Sequence, residues 1–132
     1  MNNDKKKVEW EKTIEFYIDL IDNYKWEQKP MLELIDILKK VDFWNKYFPS
    51  TSHEALGLSL EFDSDKRFEM PMVYIIYRSK NKEFEIQYQK GQGNTTLEKN
   101  CGTELSKIDF LEIDKWLSDK NNERTTPYKI NC

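Results

Sequence analysis

Histidine occurs once and cysteine twice in this 132-residue chain, and that scarcity removes most of the usual side-chain chemistry. Any dyad or triad that needs an imidazole has to be built on His53. The hydroxyl and carboxylate groups around it, Ser50, Thr51, Ser52 and Glu54, are neighbours in sequence, and such neighbours seldom converge on one substrate atom. A general-base role for His53 near neutral pH stays open chemically; a local hydrogen bond at the mouth of a strand is the simpler reading. One histidine and two distant cysteines provide neither C-x-x-C nor H-x-x-x-H spacing, so no zinc site is expected. Cys101 and Cys132 are too few and too late for a disulfide framework, and they read as reduced thiols of a cytoplasmic protein.

Long apolar runs are missing as well. Nothing approaches the roughly 20 residues a membrane-spanning helix requires, and residues 1–7 lead into charged amphipathic sequence rather than the apolar core of a signal peptide. An excess of charge of one sign is also absent: 21 Lys and Arg against 24 Asp and Glu leave a net charge of −3. With no basic stripe to neutralise phosphates, nucleic-acid binding is not expected. Tyr74, Tyr77 and Tyr88 on a sheet could stack bases, but Glu61, Glu83 and Glu85 stand near the same surface and oppose it. Gly91-Gln92-Gly93 lacks the Lys-Ser/Thr that a phosphate-binding loop needs, and reads as a hairpin turn. Asp63, Asp65 and Glu69 place three carboxylates in one loop, without the sharp-turn glycine or spacing of a calcium loop. Neither metal nor cofactor is therefore expected.

What is present is pattern. Trp10, Ile14, Tyr17, Ile18 and Ile21 repeat at helical spacing within residues 8–24. Pro30 suits the first turn of a second helix, lined by Met31, Leu34, Ile35, Leu38 and Val41 and expected to fray over residues 43–48 and end before Pro49. The period then changes to two. Leu56, Leu58, Leu60 and Phe62 form a one-faced strand, residues 63–71 a long hairpin loop, residues 72–77 a second strand, and Phe84, Ile86 and Tyr88 a third. Residues 95–99 make a short fourth. Asp109 with Glu112 three residues later caps a closing helix, with Ile108 and Ile113 spaced as a hydrophobic staple. The expected fold is α+β: an antiparallel three- to four-stranded meander with two N-terminal helices and one C-terminal helix packed on it. It forms a single domain over residues 1–132, with loose tails at about 1–7 and 121–132.

The central strand Val73-Tyr74-Ile75-Ile76-Tyr77 is apolar on both faces, whereas its neighbours are apolar on one. The stripe it leaves needs cover, and the wide first helix is the expected cover, since monomers seldom leave large apolar patches bare. Partner contact then falls to the polar rim and loops. Glu61, Glu85 and Gln87, the acidic loop residues Asp63, Asp65 and Glu69, and Tyr77 at the end of the stripe are the candidates. No catalytic residues are assigned.

The layout resembles that of the small immunity proteins of bacterial toxin–immunity systems, particularly those of contact-dependent inhibition. The segments that carry the resemblance are the N-terminal helical pair, Ser52-His53-Glu54-Ala55-Leu56 leading into a strand, Val73 to Tyr77, Phe84-Glu85-Ile86-Gln87-Tyr88 and the closing helix from Phe110 to Leu117. The resemblance implies a non-enzymatic cytoplasmic protein that binds and neutralises one cognate toxin domain, often a nuclease. It also implies a monomer or weak homodimer when free, with acidic residues imitating phosphates for a basic toxin. Two rival readings are a small α+β enzyme or ligand-binding domain using His53, and a structural or regulatory homodimer that covers the stripe with its own copy.

Overall fold

Where the chain leaves its first long helix, it doubles back twice before entering a sheet, and those reversals place the helices before the sheet on one side of it. The computed structural model describes residues 2–61, 70–90 and 95–118, with side chains from residue 5 onward. Helix α1 (Asn2–Asp22) is followed by α2 (Lys29–Lys40) and a single turn α3 (Phe43–Lys46). Five strands follow, β1 (Phe48–Ser52), β2 (Ala55–Ser59), β3 (Met72–Arg78), β4 (Glu83–Gln89) and β5 (Thr95–Gly102), and then helix α4 (Lys107–Ser118). The strands pair in sequence order and every pairing is antiparallel. The α+β expectation holds, with a larger sheet.

The additional strand is β1. Sequence reading carries residues 43–48 as a fraying helix end stopped by Pro49. Instead, α2 stops at Lys40, Asp42 turns the chain in the left-handed region at φ 72°, and Pro49 sits inside a strand. Proline is tolerated there because β1 is an edge strand, where a missing N–H removes no ladder bond on the open side. Helix α1 begins at Asn2, so it also runs through residues expected in the N-terminal tail. The end of the chain, where the other tail was expected, lies outside the described residues.

Alternation along the strands sorts side chains between two faces. Leu56, Leu58, Val73, Ile75, Phe84, Ile86 and Tyr88 point inward, and they share one core with Trp10, Tyr17 and Leu20 of α1, Met31, Leu34, Ile35 and Leu38 of α2, and Ile113, Trp116 and Leu117 of α4. Burying side chains of this size contributes roughly 1.5–3 kcal/mol each. The tryptophans also fix register. Trp10 stacks on Trp44 at 5.3 Å with rings nearly parallel, its Nε1–H donates to the Tyr47 carbonyl at 3.1 Å, and Trp44 donates to the Ile35 carbonyl at 3.1 Å. Trp116 donates to the Gln89 carbonyl at 3.0 Å, joining the end of α4 to the end of β4.

Helix α4 starts with a different cap from the one expected. Ser106, not Asp109, is the N-cap residue: the Asp109 carboxylate accepts from the Ser106 N–H at 2.7 Å, and the Asp109 N–H donates back to Ser106 Oγ at 3.3 Å. This is a reciprocal capping box with Asp in the place of the usual Glu. The staple pair shifts accordingly to Leu105 and Phe110, both packed on the core, while Ile108 is exposed.

Beside that cap lies a charged group that hydropathy does not reveal. Lys99 projects from β5 onto the helix-bearing face with 5% of its side chain exposed, 2.6 Å from Asp109 and 2.9 Å from Glu112. Burial opposes its charge, but the bonds it donates to both carboxylates outweigh that and hold the ammonium above the ordinary lysine value. Burial likewise opposes the Asp109 carboxylate, which Lys99 and the two Ser106 donors nevertheless hold below the ordinary range.

Among the described residues, Gly57 on strand β2 is the glycine whose lack of a side chain the packing demands. A Cβ at Gly57 would lie 2.5 Å from Ser50 Oγ and 2.8 Å from the Tyr74 ring. The Ser50 hydroxyl can rotate away; the ring has no comparable freedom. Gly57→Val is therefore expected to lower unfolding free energy by about 1–3 kcal/mol, measurable by urea denaturation.

Candidate functional site

The face of the sheet opposite the helices carries the residues with which a partner would have to deal. On it, Ala55, Met72, Tyr74 and Ile76 form a second apolar group, separate from the main core. Helix α1 does not cover them, contrary to expectation: the buried residues of all the helices belong to the other face. The stripe is nonetheless not open, with Met72 at 0%, Ile76 at 5% and Tyr74 at 7% exposure. A partner would therefore meet the polar groups around the stripe rather than its apolar surface.

Those groups are arranged by register. Tyr74 stands opposite Gln87, and Gln87 opposite Glu98; Ile76 stands opposite Glu85, and Glu85 opposite Asn100; Arg78 stands opposite Glu83. One oxygen of Glu85 accepts from Arg78 at 3.1 Å and from Gln87 Nε2 at 2.9 Å. Arg78 also reaches Glu54 at 3.9 Å, and Glu83 accepts from Asn100 at 2.7 Å. Arg78 keeps 44% of its side chain exposed, and ion pairs so placed contribute about 0–1 kcal/mol. The contacts orient Glu85 more than they stabilise the fold. Glu54 and Glu85 engage the Arg78 guanidinium and Glu83 stands opposite it, while Glu98 lies farther along the face opposite Gln87, so among these described side chains carboxylates outnumber cations. A shallow depression of about 370 Å³ lies over Tyr74 and Ile76, walled by the Ser52–Ala55 turn on one side and Arg78, Gln87 and Gln89 on the other.

The seven expected contact residues do not all meet. Glu85 and Gln87 are brought together, hydrogen-bonded to one another. Glu61 follows β2, and its carbonyl accepts from Ser59 Oγ at 2.8 Å. Tyr77 belongs to the other side of the sheet: it pairs with Phe84 in the ladder and its ring packs 5.1 Å from the Phe84 ring. The reason is the two-residue period, which sends Tyr77 away from Ile76 and Glu85. Asp63, Asp65 and Glu69 lie outside the described residues. Arg78 and Glu54 were not anticipated; the same period, extended by two from Ile76, would have found Arg78.

His53 sits at the tip of the β1–β2 hairpin, a two-residue turn closed by the Ser52–Ala55 pair. It is exposed and adopts φ 55°, in the positive range that tight hairpin turns require. The turn is held to α1 by Tyr17, whose hydroxyl donates to the Glu54 carbonyl at 2.8 Å. Burial, and secondarily the Glu54 charge, push the Tyr17 hydroxyl up in pKa, so it remains a donor. His53→Gly is expected to leave the melting temperature unchanged or raise it, whereas His53→Val should cost about 1–2 kcal/mol from left-handed strain; thermal denaturation of the pair checks this.

Cys101 occupies a bulge between the Glu85–Asn100 and Phe84–Gly102 pairs and packs against the core. Among the described residues, no group of three or more His, Cys, Asp or Glu side chains is placed to hold a metal ion, and no helix is long and apolar enough to cross a membrane. Comparison with protein-family models, with curated proteins and with solved structures returns no match. What fold and surface define is an α+β domain with its helices on one face of the sheet and an acidic, amide-bearing rim on the other.

Proposed function

We propose that this chain is a non-enzymatic cytoplasmic immunity protein that binds and neutralises a cognate bacterial toxin domain, a nuclease being the class its acidic face suits. The observation that carries this reading is the outer sheet face, where Glu54 and Glu85 hold Arg78, Glu83 stands opposite it, and Glu98 stands opposite Gln87. Carboxylates fixed on a rigid sheet suit a basic surface of the kind that nucleic-acid-cleaving domains use for phosphates, and charge complementarity of this sort speeds encounter and selects the partner. The orientation of Glu85 by two donors leaves little side-chain freedom to lose on binding.

The free protein is read as a monomer or weak homodimer. Strand β5, an edge of the sheet, carries two register breaks and the inward-pointing Lys99, features that oppose edge-to-edge association. Co-expression with the product of the adjacent gene is the test: the two proteins are expected to co-purify as a stoichiometric complex, and the partner alone to arrest growth. A neighbouring product that is harmless alone, or that fails to co-purify, would remove the reading.

A further inference from the structure

On the helix-bearing side, one end of α2 and the start of α4 leave a groove of about 330 Å³ over the β3–β4 hairpin. Its floor is Tyr77 and Phe84; Ile37, on α2, and Phe110, on α4, stand across it. Ile37 is 40% exposed and Phe84 beneath it 4%, so Ile37 with the half-buried Tyr77 and Phe110 supplies the accessible apolar surface. Glu33 is four residues before Ile37 on the same helix face, Glu104 belongs to the segment before α4, and Lys82 comes from the turn between β3 and β4.

The charges here differ from those of the outer face. There, Glu85, Arg78 and Glu54 engage one another. In the groove, among the described residues, no ion pair or side-chain hydrogen bond engages Glu33, Glu104 or Lys82. Two carboxylates against one ammonium leave the rim acidic. The space lies at the small end of the roughly 300–1,000 Å³ typical of ligand pockets, enough for one or two large side chains and too small for a folded domain.

We infer that this groove is a docking site for a polypeptide segment that seats an aliphatic or aromatic side chain against Tyr77 and Ile37 and sets flanking Lys or Arg residues against Glu33 and Glu104. The apolar anchor supplies affinity and the flanking cations supply direction. The groove lies across the sheet from the acidic outer face, so this inference does not rest on the immunity reading.

The probe is a random peptide library displayed on phage, selected against the full chain and counter-selected against Ile37→Asp, an exposed position where the fold should tolerate the change; thermal melting confirms that it does. Selected peptides are expected to carry an aliphatic or aromatic residue within a few positions of Lys or Arg, and to bind Ile37→Asp at least tenfold more weakly. Glu33→Lys combined with Glu104→Lys should reverse the charge preference of the selected sequences. Failure to enrich any sequence, retention of binding by a folded Ile37→Asp protein, or an unchanged preference in the double variant would overturn the proposal.

Discussion

Replacing Lys99 with methionine is expected to destabilise the protein by about 3–5 kcal/mol, because it strands buried carboxylate charge. Asp109 would keep its Ser106 donors but lose the cation 2.6 Å away, and Glu112 would lose its partner at 2.9 Å. The loss should be smaller in the double variant Lys99→Met/Asp109→Asn, since the asparagine retains a cap acceptor without the charge; comparison of the two by urea denaturation separates ion pairing from capping. The same group gives stability a defined pH dependence. Asp109 has a depressed pKa, so its contribution is present above the ordinary carboxylate value and is lost as pH falls through its lowered one. Lys99 has a raised pKa, so its contribution is present below the ordinary lysine value and is lost as pH rises through its raised one. Stability from this cluster should thus be flat between about pH 5 and pH 10, and Lys99→Met should weaken the acid limb of the profile.

Trp10→Ala should cost a similar amount, about 3–5 kcal/mol. Trp10 is fully buried, stacks on Trp44 and donates to the Tyr47 carbonyl. It therefore ties α1 to both α3 and the entrance of β1. Tyr47 is itself held at α4 by its hydroxyl bond to Asp114; burial first, and that bond second, push its hydroxyl up in pKa. Truncating Trp10 thus opens a cavity at the junction of three helices and leaves a carbonyl without its donor. Trp10→Phe keeps much of the ring contact and should recover all but about 1–3 kcal/mol, the penalty of the unmet carbonyl. Thermal or chemical denaturation of both variants measures the difference.

Much of the architecture could be read from periodicity. The helical spacing of Trp10, Ile14, Tyr17, Ile18 and Ile21 identifies α1, although Ile18 proves exposed and Leu20 is buried instead; Met31, Leu34, Ile35 and Leu38 identify α2, and alternation in Phe84, Ile86 and Tyr88 identifies β4. Strand β1 escaped because Phe48-Pro49-Ser50-Thr51-Ser52 has no alternation and contains proline; only its edge position makes it a strand. The cap of α4 lies three residues before Asp109 because Ser106-Lys107-Ile108-Asp109 is itself a capping-box pattern, legible in the sequence, with Asp109 as its acceptor rather than its cap. Covering the two-faced β3 with α1 counted helix faces correctly but not their positions: α1 packs beside β1, on the side of the sheet where α2 and α4 also lie. For the candidate surface, Glu85 and Gln87 were legible as outward residues of β4. Tyr77 was misplaced because it was grouped with the stripe by sequence proximity rather than by the two-residue period. The Lys99 cluster was invisible, since a lysine followed by asparagine reads as solvated until α4 brings Asp109 and Glu112 against it.

The outer face stands or falls on Glu85. Isothermal titration of the purified chain with the product of the adjacent gene, repeated with Glu85→Lys, tests it most directly. The proposal predicts tight binding by the unaltered protein and at least a tenfold loss, about 1.4 kcal/mol, in a Glu85→Lys variant that melts within a few degrees of the original. Absence of binding by the unaltered protein, or equal affinity in a folded Glu85→Lys variant, would contradict it.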